Sequence, residues 1–275
     1  MRYLSRFVMA TVGLLSAAAA AAQRRSVGNV VVVPEAQVEL AVAGDDYVLA
    51  AFNLVAASDR GGGATFAGGQ LRLGYERHWN SRWSWGPTLR VLGGGDDYSY
   101  GDFLGLGGNL VPGLLLRHSG RIGAFSVGQR LGMERAITVI SGQSFGKDRS
   151  LLRLRFDVDR QFAVGEKVAL RPRLAYEVAA YPRLQRAENE TKERVIDFGN
   201  LRAEVGLRFS PTLDLTPWVA SQTAYFNFLP QFDSTGKQVG GGRTNLLTPL
   251  AGLDVRLTLG RSEAAAERRQ LPSQH

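Results

Sequence analysis

Few residues in this chain have the types and the spacing that catalysis requires. The sequence has no cysteine and three histidines, His78, His118 and His275. His118 and Ser119 are adjacent in a predicted tight turn, which would point their side chains apart instead of pairing a nucleophile with its general base. The sequence therefore predicts no catalytic residue and no thiolate metal site.

Acidic and glycine-rich segments offer the other candidate sites. Asp96, Asp97 and Asp102 fall in one predicted loop with no histidine on the same side of the fold. We expect solvated acids or a weak divalent-cation site there rather than a protease. Three glycine clusters also lie in predicted loops, and none opens a helix after a strand. Because phosphate-binding loops need that arrangement, these clusters do not indicate a nucleotide cofactor. The sequence predicts no cofactor and no resident metal.

Arginine and acidic residues carry the clearest pattern in the sequence. In the segments 152–159 and 168–178 they alternate with apolar residues, as in Leu-Arg-Leu-Arg-Phe-Asp-Val-Asp. Since successive side chains of a strand point to opposite faces, each segment would have one apolar face and one ionic face. Five or more segments show this pattern, and together they predict an all-β chain.

The alternation divides the strand residues into two sets. The apolar set, which includes Leu73, Leu154 and Leu257, is predicted to face outward. The charged set is predicted to face a central lumen. The predicted lumen-lining residues are Arg72, Glu76, Arg90, Arg130, Glu134, Arg153, Arg155, Asp157, Asp159, Arg171, Arg173, Glu177, Arg202, Glu204, Arg208, Asp254 and Arg256. A cluster of tryptophans beside a short turn predicts an aromatic girdle at one rim: Trp79, Trp83 and Trp85.

Both ends of the chain are expected to lie outside the folded domain. Arg2 and Arg6 precede a short apolar run and a series of small residues, which indicates a signal peptide at 1–22. The apolar run is too short for a membrane-spanning helix. We expect a β-barrel domain at 23–260 and a polar C-terminal tail at 261–275.

Strand signals recur along the whole domain. Short turns, as at 80–81, alternate with longer loops, as at 228–245. If both ends of the barrel chain lie on one side of a membrane, the number of strands is even, which allows ten or twelve. Counting the segments 27–33 and 36–43 as two strands favours twelve.

The signal peptide, the alternating strands, the order of turns and loops, and the tryptophan cluster resemble those of small bacterial outer-membrane β-barrel proteins, with no single family matched. The resemblance implies an up-and-down antiparallel transmembrane β-barrel of 10–12 strands in the outer membrane of a Gram-negative-type bacterium. It also implies outer-membrane lipid and lipopolysaccharide as partners, and small solutes if the lumen conducts. The oligomeric state stays open.

The charge pattern argues against nucleic acid as a partner. The net charge of +8 falls to +6 without Arg2 and Arg6, and the remaining basic residues alternate with acids inside strands. Ten arginines against seven acids in the predicted lumen would make a narrow conduit that mildly favours anions. A structural membrane protein without a pore is the equal alternative.

Two further function classes stay open. A secreted soluble barrel of lipocalin type would bind an apolar ligand, with the leucines inward and the arginines outward. The four lysines all lie in predicted loops or at strand ends, whereas soluble β-proteins place lysine on exposed strand faces, so the lysines favour the membrane barrel. A barrel hydrolase is the third class, disfavoured by the positions of the histidines.

Overall fold

The part of the chain that the structure describes is built from β-strands. The computed structural model describes residues 24–43, 46–58, 64–93, 109–139, 149–164, 168–182 and 195–260. The strands are β1 (Arg24–Val27), β2 (Val31–Ala43), β3 (Asp46–Ser58), β4 (Ala64–His78), β5 (Trp83–Gly93), β6 (Asn109–Ile122), β7 (Phe125–Thr138), β8 (Arg149–Asp159), β9 (Phe162–Val164), β10 (Val168–Ala180), β11 (Phe198–Arg208), β12 (Leu213–Phe232) and β13 (Gln238–Leu259). No helix in these ranges is long and apolar enough to span a membrane.

Eleven of these strands close into one barrel. From β2 to β13 each strand pairs antiparallel with the next, with the short β9 beside β10 outside this order. The barrel closes through a parallel pair, in which Val31 of β2 lies beside Leu250 of β13 and Leu40 beside Leu259. The predicted all-β, up-and-down barrel is confirmed, and eleven strands fall within the predicted range. The predicted signal peptide, the tail at 261–275 and the acids at 96–102 lie outside the described residues.

The preference for an even number of strands is wrong. The segments predicted as two strands, 27–33 and 36–43, do not form a hairpin. Instead β2 runs unbroken from Val31 to Ala43, and β1 pairs parallel with the preceding part of β13. Because the closing pair is parallel, the first barrel strand begins at the rim of the longer loops and the last one ends at the rim of the short turns.

Six strand prolines each pair with a neighbouring strand on one side only. Pro34 lies beside Leu253 of β13, while the β2–β3 register skips from Val32 to Glu35. The others are Pro87, Pro112, Pro172, Pro217 and Pro249. Since proline has no N–H to donate, a one-sided gap in the ladder allows a closed barrel to hold it.

The two faces of the barrel have opposite chemistry. Leu154 is 37% exposed on the outer face, whereas its neighbours Arg153 and Arg155 are 8% and 3% exposed inside. The same reversal holds around the circumference, with exposed Phe52, Leu174 and other large apolar side chains on the outside. The strand period of two thus sorts apolar residues outward and charged residues inward.

The interior is layered along the barrel axis. Near the rim of the longer loops, most strands contribute a buried apolar side chain. This apolar collar consists of Val31, Val33, Val55, Ala57, Leu92, Val111, Ala136, Leu151, Ala179, Phe198, Ala224 and Leu250. Toward the short-turn rim, the inward-facing side chains are mostly charged.

Two connections differ from their predicted positions. Strand β6 continues past His118 and Ser119 to Ile122, and the chain reverses at Gly123, whose φ of 59° suits glycine. Strands β12 and β13 extend through most of the predicted loop 228–245 and meet at a turn around Gly236. β11 pairs only as far as Ala224 and β1 only as far as Thr244, so from the pair Asn227–Arg243 outward β12 and β13 form a two-stranded ribbon beyond the barrel rim.

Candidate functional site: the charged interior

The structure places the predicted lumen residues inside the barrel. Fourteen of the seventeen are buried, and the other three, Arg130, Glu134 and Arg208, are half-buried. They reach the interior from β4, β5, β7, β8, β10, β11 and β13. Burying so many charges is tolerable only where each meets partners, so the pairing geometry decides what the interior can do.

One chain of ion pairs crosses four strands. The Glu134 carboxylate accepts hydrogen bonds from Arg90 and, at 3.0 Å, from Nε of Arg153. Arg153 also reaches Glu177 at 3.1 Å, and Glu177 accepts a second bond of 2.5 Å from Arg130. Five side chains therefore alternate in charge from β5 through β7 and β8 to β10, which ties these strands together across the interior.

A second group of ion pairs lies closer to the short-turn rim. Arg171 donates two hydrogen bonds to the Asp159 carboxylate, at 2.8 and 2.7 Å. Arg173 lies 3.4 Å from Asp159 and 3.6 Å from Asp157, and it donates a 2.5 Å bond to Glu204. The two-pronged contact uses the planar fork of arginine, which a lysine could not reproduce.

Arg202 continues this group toward the middle of the barrel. It donates hydrogen bonds of 2.7 Å to Glu204 and to Asp254. Its guanidinium lies 4.0 Å from the ring centroid of Trp218, and the Trp218 indole N–H donates a 2.7 Å bond to Asp254. Gly252, opposite Trp218, leaves the space that the indole ring occupies.

The sequence analysis missed four buried charges, Glu35, Glu39, Arg117 and Asp214. Glu35 pairs with Arg72 at 2.6 Å, and Glu39 lies 3.4 Å from Arg256. The alternation of Val33, Glu35, Gln37 and Glu39 carries the signal for β2, but dividing this stretch between two strands conceals it. Arg117 was missed because a turn was predicted directly after it, whereas β6 continues to Ile122.

Adding the missed residues nearly balances the interior charge. The predicted ten arginines and seven acids become eleven and ten. Arg155 has no ion-pair partner among the described residues, and its Nε and Nη2 lack hydrogen-bond partners. Among the described residues, the interior thus keeps an excess of one positive charge, smaller than the predicted excess of three.

A cavity of about 70 Å³ lies between the two groups of ion pairs. Five arginines border it, but Glu134 is the single carboxylate among the lining residues. The arginines are Arg72, Arg90, Arg130, Arg153 and Arg202. The partner carboxylates of Arg72, Arg130 and Arg202 do not line the cavity, so its wall is rich in positive charge and in N–H donors.

The three tryptophans of the predicted girdle lie near the short turn between β4 and β5. Trp79 is 61% exposed and Trp83 38% exposed, while Trp85 is half-buried 6.1 Å from the Trp79 ring. All three belong to the outer surface at one rim. Trp218, the fourth tryptophan, points inward instead.

The remaining chemical candidates form no site in the described part of the chain. His118 and Ser119 are successive residues of β6, so their side chains leave opposite faces, and the His118 ring lies 4.6 Å from Trp83. Among the described residues, no group of three histidine, aspartate or glutamate side chains is arranged to hold a metal ion.

Comparison with family models and with curated proteins finds no match to this chain. Among solved structures, a NanC porin is similar over 78% of this chain and 95% of that chain, with 10% sequence identity and a TM-score of 0.33. A likeness this distant does not indicate a function.

Proposed function

We propose that this chain is an outer-membrane β-barrel protein whose ionic interior holds the barrel rigid and nearly closed. The observation that carries the proposal is the orientation of the two faces. Large apolar side chains such as Leu154 and Leu174 face outward around the barrel, while eleven arginines and ten acids face inward. Lipid is the solvent that suits this outer face.

The same orientation argues against a soluble ligand-binding barrel. A lipocalin-type barrel needs an apolar interior and a polar exterior. Here the apolar collar occupies only one end of the interior, and the rest is rich in buried charged residues joined by ion pairs. An outer surface carrying exposed Phe52, Leu114 and Leu174 would make a soluble protein aggregate.

The rims suggest an orientation in the membrane. Trp79, Trp83 and Trp85 lie at the short-turn rim, where an interfacial aromatic girdle would sit. Short turns face the periplasm in barrels of this kind, and longer loops face outward. The short-turn rim is therefore the proposed periplasmic end, and lipopolysaccharide would meet the other.

The interior supports a structural role better than a wide pore. Side chains lining an open channel are wetted, whereas fourteen of the seventeen predicted lumen residues are buried. A narrow, weakly anion-selective conduit is the second candidate, because the cavity between the ion-pair groups is lined by five arginines. The two roles differ in whether the ion pairs must open.

Heat-modifiable gel mobility tests the membrane proposal. Protein extracted from outer membranes should migrate faster when unboiled, since a closed barrel stays compact in detergent. Recovery as a soluble periplasmic protein with no mobility shift would overturn the proposal.

Planar-bilayer recordings then separate the two roles. A rigid, closed barrel should conduct little, and Arg171→Ala with Arg173→Ala should raise its conductance and lower its thermal stability together. Arg82→Ala is the control and should change neither property, because Arg82 is exposed in the short turn between β4 and β5. If the double variant instead shifts ion selectivity toward cations at unchanged stability, the barrel is an open anion conduit.

A further inference from the structure

We infer that the cavity between the two ion-pair groups is a binding site for one small oxyanion, such as inorganic phosphate. Its volume of about 70 Å³ admits roughly five water-sized atoms, the size of a tetrahedral oxyanion. This inference rests on the barrel interior and does not depend on the proposed membrane location.

Charge is the first argument. Five arginines and one glutamate line the cavity. Arg72 pairs with Glu35 of β2, and Arg202 pairs with Glu204 of β11 and Asp254 of β13. None of these three carboxylates borders the cavity. The wall therefore presents arginine N–H groups, while the compensating negative charge lies behind them.

Unused hydrogen-bond donors are the second argument. Nε of Arg72 and Nη1 of Arg202 are buried without a hydrogen-bond partner, although both side chains line the cavity. Leaving a buried N–H group without an acceptor costs free energy, so an anion that draws these two guanidinium groups toward it would be favoured. A tetrahedral oxyanion has acceptor oxygens pointing in several directions, which suits guanidinium groups that reach the cavity from β4 and β11.

The uncharged polar residues that line the cavity are compatible with this ligand. Gln70, Thr88 and Gln222 also line it and can donate hydrogen bonds. Asn200 also lines the cavity, and its Oδ1 has no hydrogen-bond partner. A hydroxyl group of hydrogen phosphate is a donor that matches this acceptor.

The overall charge of the interior is the third argument. The described interior holds eleven arginines and ten acids. Arg155 lies two residues after Arg153, which lines the cavity, and it has no ion-pair partner among the described residues. One bound monoanion would neutralise the interior. Buried networks are stable when their charges are balanced, so occupancy of the cavity should stabilise the barrel.

The test is calorimetric titration of inorganic phosphate into the full-length protein in detergent, with chloride at equal ionic strength as the reference. The wild type should bind one phosphate saturably. Ala220→Leu places a larger side chain in the cavity wall without removing a charge, and it should weaken binding at least tenfold. Ala203→Leu adds the same atoms to the outer face of the neighbouring strand, and its affinity should stay within twofold of wild type.

A second variant guards against misfolding of Ala220→Leu. Arg72→Gln with Glu35→Gln replaces one ion pair by two neutral amides and should also weaken phosphate binding at least tenfold. Absence of saturable binding to the wild type would overturn the inference. So would unchanged affinity in the variants that retain the heat-modifiable barrel, or an equal loss of binding in Ala203→Leu.

Discussion

The guanidinium carbon of Arg202 lies over the indole ring of Trp218, 4.0 Å from the ring centroid, and both side chains donate hydrogen bonds to the Asp254 carboxylate. This contact joins β11, β12 and β13 inside the barrel. It satisfies the indole N–H and Nη2 of the arginine, while the aromatic face receives the cation.

Gly252→Ala should destabilise the barrel by about 1–3 kcal/mol, because overpacking forces neighbouring atoms to move. An added Cβ would lie 2.3 Å from the Trp218 ring and 2.4 Å from the Val33 carbonyl oxygen. Thermal unfolding in detergent measures the loss. Gly132→Ala is the matched control, since its Cβ would meet Arg153 at an ordinary 3.7 Å, and equal destabilisation by both variants would contradict the prediction.

Leu154→Arg should impair assembly far more than Leu154→Ala. Leu154 is 37% exposed on the outer face, midway along β8, where an arginine in lipid costs about 2–4 kcal/mol. The amount of heat-modifiable protein in the outer membrane measures the effect. Equal assembly of the two variants would mean that the outer face does not contact lipid.

Glu134→Gln should lower stability by several kcal/mol, because Arg90 and Arg153 both lose a charged partner inside the barrel. Removing one member of a buried ion pair costs about 3–5 kcal/mol. Denaturant titration of the purified protein would show it. The companion change Arg90→Gln in the Glu134→Gln background should restore part of the loss, and a purely additive double variant would argue against the network.

Peptide tags should report a barrel whose two chain ends lie at opposite rims. If the long loops face the outside of the cell, a tag in the 94–108 connection should be labelled on intact cells. A tag at Gly123 should be labelled only after the outer membrane is opened. A tag directly before β1 should be labelled like the long connection, since β2 begins at that rim. Labelling of the Gly123 tag on intact cells would reverse the orientation.

The turn between β12 and β13 should depend on pH at the acidic end. A hydrogen bond from the Thr235 hydroxyl and one from the backbone N–H of Lys237 lower the pKa of Asp233. A group with a lowered pKa in the folded state stabilises the fold above its unfolded pKa, and this contribution disappears as the pH falls through the folded pKa. The protection factor of the Lys237 amide, which is its intrinsic exchange rate divided by its observed rate, should therefore fall on acidification, and Asp233→Asn should remove that dependence.

The face of the barrel on which each strand residue lies could be predicted from the sequence, whereas its ion-pair partner could not. Leu154 and Arg155 differ in exposure because a strand has a period of two, and that period is visible in the sequence. The partnership of Glu134 with Arg90 joins residues 44 apart, so it depends on how three strands align. The inward position of Trp218 follows from the same period, since the buried Asp214 and Gln222 share its face, but the room for its ring depends on Gly252 of the neighbouring strand, which the sequence alone does not reveal.

The strand count illustrates the same limit. Nothing within residues 27–43 indicates that this stretch will lie parallel to β13. Pro34 suggests a break when the sequence is taken alone, but in the barrel it interrupts the ladder to one neighbour and leaves the other intact. The even-number argument failed because it assumed where the chain ends lie.

The parallel seam between β2 and β13 has a consequence for biogenesis. It joins residues from the two extremes of the domain, as the hydrogen bond from Arg256 to Gln37, 219 positions apart, shows. Until the last strand has been made, β2 has no neighbour on one side, and its N–H and C=O groups can template aggregation. A form of the chain that ends before β13 thus leaves both β2 and β12 with an unpaired edge, so we expect such truncated forms to aggregate unless both edges are covered.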